Sequence, residues 1–349
     1  MKNLLGVMVL VTAFGCGGKA LVPSEARDYR QEMRELVMRI SARAKEIDPG
    51  FLVVPQNGHE LLTWDGTEAG EPVLPYIGAI DGVGREELFY GYCGDDVPTP
   101  EPVRRRMVAF MDLAEEKGLQ VLVTDYCSTP SFVDDSYARN SSRGYISFAA
   151  DSRELDRIPR YPPEPYNVND SDVGSLGEAK NFLYLINPGR FSDKEAFLDA
   201  LRRTDYDILI IDPFYEDLPL SREEVESLKV KANGGSRLVI AYMSVGEAED
   251  YRYYWNPDWS VKPPSWLLGE NPEWPGNFKV RYWEEGWKEV VYGYLGRVME
   301  AGFDGVYLDI VDAFEYFEGD LWDAGEVKSG ETVQVPDERL LEGGSTATR

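Results

Sequence analysis

Apolar residues recur along this chain in two alternating rhythms. Met33, Leu36, Val37, Ile40 and Ala44 follow three- and four-residue spacing. That spacing predicts an amphipathic helix opening at Ser24-Glu25-Ala26 and stopped by Asp48-Pro49-Gly50. Short apolar runs over 51–54, 76–80, 120–124 and 145–148 read as buried strands. Between the second and third, Val103, Met107, Phe110, Met111 and Ala114 mark one face of a helix over 101–117. Strand-like runs return at 182–186, 207–211, 237–242 and 306–308, separated by helical patterns at 193–203, 221–232 and 284–300. Eight strand candidates alternating with helices are what a (β/α)8 barrel needs. A doubly wound sheet with a second domain is the alternative.

Three stretches depart from the rhythm. Residues 159–176 are Pro-rich and polar without periodicity, which predicts a linker or long loop. Residues 255–283, rich in Trp and Pro, are too long for a simple turn, and such insertions usually carry binding function. The chain also starts on a helix and places its last strand near the C-terminus, with little helical pattern after it. If the barrel closes, that first helix packs outside the last strand, as in a circularly permuted barrel. The expected division is therefore a leader over 1–20, one barrel over 24–318 and a loosely ordered acidic tail over 319–349.

Charge and composition narrow the chemistry. A net charge of −26 excludes a general nucleic-acid-binding role, because phosphate must be neutralised by Lys and Arg. Lys2, the apolar run 4–14 and Gly15-Cys16-Gly17 read as an export signal of lipoprotein type, with Cys16 as the lipid-bearing residue and plain secretion as the alternative. No other apolar run approaches the ~20 residues of a membrane helix, so the expected membrane link is Cys16 alone. Cys93 and Cys127 remain, and in an exported protein they could pair. His59 is the single histidine, read as a polar loop residue, which argues against His-rich zinc sites and Ser-His-Asp triads. No phosphate-binding or dinucleotide glycine motif is present, and no cofactor is expected.

The candidate chemistry gathers at the carboxyl ends of the strands, where α/β proteins bind ligands. Gln56 and Asn57 follow the first run; Asp81, Glu86, Glu87 and Tyr90 follow the second; Asp125 and Tyr126 close the third. Asp212 closes the sixth, Glu247, Glu249, Tyr251 and Arg252 follow the seventh, and Asp309 and Asp312 follow the eighth. Acids, amides, Tyr and Trp crowded at one end suit a sugar site, since glycosyl transfer uses two carboxyls and sugar faces stack on aromatics. A carboxylate metal site of Asp309, Asp312 and Glu249 is a competing reading.

The segments NFLYLINP, DILIIDPF, AYMSVGEAEDYRYYW, PSWLLGENPEWPGNFKVRYW, GFDGVYLDIVDAFEYF, VVPQNG and EELFYGY together resemble glycoside hydrolase family 114, related to endo-α-1,4-polygalactosaminidases. The resemblance implies a (β/α)8 barrel acting on an amino-sugar polysaccharide. It also implies circular permutation, because NFLYLINP comes first in the family and VVPQNG and EELFY come late. By the same resemblance Asp309 is the nucleophile and Glu86 the general acid/base, with Glu87 as rival. Asp212, Glu249, Arg252, Gln56, Asn57, Asp125 and Tyr126 are implied to line the sugar site. The strand-end reading adds Tyr251, Tyr90 and Asp312. A retaining mechanism is expected, with Glu86 raised in pKa and Asp309 ionised. The other readings are a non-catalytic carbohydrate-binding lipoprotein and a carboxylate-metal hydrolase.

Overall fold

A computed structural model of the chain describes residues 27–319. The expected leader with Cys16, the proposed helix start at 24–26 and nearly all of the expected tail lie outside the described residues. Eight parallel strands carry the fold: β1 (Leu52–Pro55), β2 (Gly82–Glu86), β3 (Gln120–Tyr126), β4 (Ile146–Ala150), β5 (Phe182–Leu185), β6 (Ile208–Ile211), β7 (Leu238–Ser244) and β8 (Gly305–Asp309). Most are buried end to end, which is why they read as continuous apolar runs rather than alternating ones. The helices longer than one turn are α1 (Tyr29–Ile47), α2 (Glu101–Glu116), α3 (Pro130–Ser141), α4 (Lys194–Arg202), α5 (Arg222–Leu228) and α6 (Glu285–Glu300).

One sheet runs in the order β1-β8-β7-β6-β5 and another in the order β2-β3-β4. The last strand of the chain is thus central, pairing Leu52 with Gly305 on one side and Ser244 with Asp309 on the other. A parallel bridge between Gln56 and Gly84 joins the sheets at β1 and β2, where Asn57 N–H donates to the Gly84 carbonyl at 2.8 Å. At the other edge β4 lies beside β5. The described structure is therefore α/β with parallel sheets. Helix α1 packs on α6, and Tyr29 stacks on Phe317 with ring centroids 5.2 Å apart.

The second expected strand is misplaced in the sequence reading. Residues 76–80 fall in a one-turn helix, Leu74–Ile77, and the turn after it; the strand is Gly82–Glu86. Its glycines disguised it. A Cβ on Gly84 would sit 2.0 Å from the Tyr307 hydroxyl, so the strand lacks side chains where its neighbours fill the space. Helix α3 and a hairpin of Tyr90–Gly91 with Gly94–Pro98 were also not anticipated. The Trp-rich insertion supplies two antiparallel strands, Leu267–Glu270 and Asn277–Val280, the second of which also pairs antiparallel with Glu247–Glu249. Cys93 is exposed and Cys127 buried, and both are free thiols.

The Pro-rich stretch after β4 carries no helix or strand until Leu176, yet it is pinned. Lys231 and Asp207 form an ion pair at 2.9 Å with both side chains fully buried. The remaining Lys231 protons go to the carbonyls of Asn169 at 3.0 Å and Ser171 at 2.7 Å. One ammonium thereby holds the loop against the amino end of β6. Replacing Lys231 with Met strands a buried carboxylate and is expected to cost about 3–5 kcal/mol. Adding Asp207→Asn should recover part of that loss, measured by chemical denaturation.

Candidate active site

All eight parallel strands, through their last residues or the loops that follow, line one cavity of about 300 Å³. Gln56, Glu86, Tyr126, Asp212, Ser244 and Asp309 stand at or just beyond strand ends, and Arg153, Leu155 and Asn187 come from the loops after β4 and β5. Three strands end in a sharp turn. Asn57, Glu87 and Ile310, each immediately after a candidate residue, adopt left-handed backbone with φ near +60°. For a β-branched residue such as Ile310 that conformation is strained, and such strain clusters at functional sites. Here it aims the Ile310 N–H at Asp309 Oδ1, 2.8 Å away. Gly246 must be bare for this turn to fit, since a Cβ there would lie 2.2 Å from the Ile310 carbonyl oxygen.

The two leading carboxyls are held differently. Asp309 Oδ2 accepts from the Tyr242 hydroxyl at 2.8 Å. Glu86 accepts from the Asn57 amide at 3.1 Å and from the Tyr126 hydroxyl. Burial, and then the neighbouring Glu86 charge, push the Asp309 carboxyl from 3.8 up to about 8, against the pull of the Tyr242 hydrogen bond. Burial and the neighbouring charge thus favour the neutral form of Asp309, which the sequence reading expected to be ionised. Asp312, raised to about 7 by burial and the Glu315 charge, sits on the same rim. Glu87 faces elsewhere: it is paired with Arg153 and lines a neighbouring cavity of about 730 Å³. That second cavity shares Asn57 and Asp312 with the first and includes buried His59, whose pKa is lowered by desolvation and then by Arg85.

Across the cavity, Arg252 forks between two acids. Its Nη atoms reach both oxygens of Asp212 at 2.8 and 2.7 Å, and its Nε reaches Glu249 at 2.7 Å. All three are nearly buried, and Tyr251 adds a hydrogen bond to Glu249 at 2.7 Å. Burial raises Asp212 while Arg252 pulls it back down. Gln56 is fixed by the Tyr184 hydroxyl at 2.8 Å, a bond from β5 to the end of β1.

Of the residues singled out in the sequence, Asp309, Glu86, Asp212, Glu249, Tyr251, Arg252, Gln56, Asn57, Tyr126 and Asp312 line this cavity. Asp125 and Tyr90 do not. Successive strand residues face opposite ways, so Tyr126 toward the cavity puts Asp125 toward α3. There Asp125 is fully buried, accepting from the Phe89 and Tyr90 N–H groups, Ser136 and Asn140. Tyr90 turns its hydroxyl to Asp135 and stacks on Phe132. The sequence reading missed Tyr184 and Tyr242 as cavity residues; both lie inside apolar runs that read as core. Among the described residues no group of three or more His, Cys, Asp or Glu is gathered to hold a metal ion, so Asp309, Asp312 and Glu249 form no such set.

The raised Asp309 pKa has a signed consequence. Above about pH 4 the unfolded chain releases a proton that the folded chain keeps until about pH 8, so stability falls as pH rises through that window. Asp309→Asn removes the slope. Asp309 keeps part of its surface open to the cavity, which tempers the burial effect. The variant should therefore be more stable than the parent at pH 8 by on the order of a few kcal/mol, with the gain shrinking toward pH 4. Thermal melts across that range measure it.

Residues 195–331 match the model of glycoside-hydrolase family GH114. An uncharacterized protein of Methanocaldococcus jannaschii is 37% identical over 183 residues, 51% of this chain and 51% of that protein. Uncharacterized proteins of Deinococcus radiodurans and Thermotoga maritima are 43% and 42% identical over 34% and 32% of this chain, and 37% and 34% of their own lengths. The matches thus span about half of the first relative and about a third of the others. The crystal structure of Aspergillus fumigatus Ega3 in complex with galactosamine is similar at 28% identity over 32% of this chain and 39% of that one, with a TM-score of 0.25. The match to the GH114 model takes in the stretch bearing Asp212, Glu249, Arg252 and Asp309.

Proposed function

We propose that the chain is a glycoside hydrolase acting on a polysaccharide, with Asp309 as nucleophile and Glu86 as general acid/base. The observation that carries this reading is that two carboxyls from distant parts of the sequence line one cavity at the strand ends and feel each other's charge. Glu86 is preferred over Glu87 because Glu87 is engaged by Arg153. The reading includes a closed (β/α)8 barrel. It is supported by the β1–β2 bridge, by β4 lying beside β5, and by the contribution of every strand end to one cavity. It also includes circular permutation, supported by the stacking of Tyr29 on Phe317 and the Arg30–Glu318 ion pair at 2.8 Å.

Near neutral pH the Asp309–Glu86 pair shares one proton, with burial and the neighbouring charge favouring neutral Asp309. Positive charge developing at the anomeric carbon beside Asp309 favours its ionised form, and Glu86 delivers the pair's proton to the leaving oxygen. Asp309 would form a glycosyl-enzyme, and Glu86 would then activate the water that hydrolyses it, with retention of configuration. The acidic lining of the cavity suits a cationic amino-sugar polymer. Such a substrate lies outside the cell, in keeping with an exported chain anchored at Cys16 or secreted.

Release of reducing ends from an α-1,4-galactosaminide polymer, within a panel of neutral and amino-sugar polysaccharides, tests the activity. Asp309→Asn should lower turnover by about three orders of magnitude or more while polymer binding persists. Glu86→Gln should recover on substrates with good leaving groups; recovery in Glu87→Gln instead overturns the assignment. The alkaline limb of kcat/KM should lie near pH 8, where the pair loses the proton it must deliver, and move further alkaline in Tyr242→Phe, which loses a hydrogen bond that favours the ionised carboxylate. A chain reordered to begin near Asn181, with Phe317 linked to Asp28, should fold and keep its activity. Failure of that chain to fold would count against permutation.

A further inference from the structure

One buried cation outside the strand-end cavity has no acid of its own. Arg85 precedes Glu86 on β2 and so points to the opposite face of the sheet, where it lines the cavity of about 730 Å³. It is 9% exposed, yet among the described residues no carboxylate lies within ion-pair distance of it. Its Nη1 donates to His59 Nδ1 at 3.1 Å, and its buried Nε meets no acceptor. His59 does not balance the charge. A guanidinium only donates, so Nδ1 accepts and the ring proton sits on Nε2, 3.3 Å from Glu60. Arg106, the other arginine on this wall, is engaged by Glu60 at 3.0 Å. A buried charge is costly unless an opposite charge meets it, and Arg85 has only the cavity from which to receive one.

The rest of the wall narrows what that group is. A single uncompensated cation matches a monoanion, and a guanidinium takes a carboxylate through two parallel hydrogen bonds. The other polar atoms call for donors: Glu60 Oε2 is buried and accepts nothing, and Asp312 and Glu315 stand on the same cavity after β8. Exposed Tyr92 supplies an aromatic face, and Val103 and Met107 of α2 supply apolar surface. We infer that this cavity binds a hexuronate, with Arg85 taking the sugar's carboxylate, the three acids meeting its hydroxyls and Tyr92 lying against the ring. The site shares only Asn57 and Asp312 with the strand-end cavity and does not depend on the hydrolase reading. Burial and then the Glu315 charge raise Asp312 to about 7, and burial and then the Glu60 charge raise Glu315 to about 7, while Arg85 pulls both down. Arg106 and Arg30 also pull Glu315 down, and Glu87 on the same wall is paired with Arg153. Below neutral pH the two acids therefore hold protons and do not repel the uronate.

His59 is the single histidine, so its imidazole gives one proton resonance that reports on this cavity in the full chain. Titration at pH 6 with methyl α-D-galacturonide should shift that resonance saturably. Methyl α-D-galactoside and acetate should each bind at least about tenfold more weakly, the scale of one charge-assisted hydrogen bond. Arg85→Gln should lose the preference for the uronide over the galactoside and melt no lower than the parent, since an uncompensated buried charge is removed. Glu315→Gln decides the matter if that variant fails to fold. It should bind the uronide about tenfold tighter than the parent at pH 8, where Glu315 is ionised, with the difference closing toward pH 6. A galactoside or acetate that binds as tightly as the uronide overturns the assignment, as does a preference kept in Arg85→Gln or no gain in Glu315→Gln at pH 8. A His59 resonance that the uronide leaves unmoved overturns the inference whole.

Discussion

The site depends on one guanidinium. Asp212 ends β6 and Glu249 sits at the root of the Trp-rich insertion, and Arg252 binds both in a nearly buried fork. Without it, two buried carboxylates would repel each other in the cavity that Asp309 and Glu86 also line, and breaking such a pair typically costs about 3–5 kcal/mol. Its planar geometry matters, because a lysine could not reach both oxygens of Asp212 and also Glu249. The fork therefore does two jobs. It makes an acidic cavity foldable, and it fastens the insertion over the strand ends so that Trp274 and Tyr251 become part of the wall.

Most of the strand pattern was legible because parallel strands buried on both faces write themselves as apolar runs. The exception, β2, was hidden by Gly82 and Gly84, whose bareness is dictated by Gln120 on the adjacent β3 and by the Tyr307 side chain of β8. No local signal carries that information. The same holds for Asp125 and Tyr90: an acid and a tyrosine at a strand end looked functional, but which way each faces depends on strand phase. Asp125 serves as a buried anchor for the hairpin. Tyr184 and Tyr242 went unnoticed for the converse reason, since a tyrosine within an apolar run reads as core until its hydroxyl is seen to meet Gln56 or Asp309.

The acids at the strand ends are set by backbone as much as by side chain. Left-handed turns follow Gln56, Glu86 and Asp309, and only glycine commonly takes that conformation without strain. That the chain uses Asn, Glu and Ile there means the surrounding packing over-determines the turns. The raised pKa of Asp309 then follows from placement, its carboxyl being pressed among apolar and acidic neighbours.

The central position of β8 has a consequence for how the molecule is made. Its partner on one side is β1, near the opposite end of the chain, and its partner on the other is β7. Sequence-distant parallel pairing is slow to form, because the entropy of closing the intervening loop must be met before the strands reward it. During synthesis β1 leaves the ribosome long before the strand it needs, and it must wait with an open edge until nearly all of the chain has followed. Asp309 arrives on that last strand. The cluster of acids at the strand ends is therefore assembled in the same event that completes the sheet, and a nascent chain holds no half-built cavity.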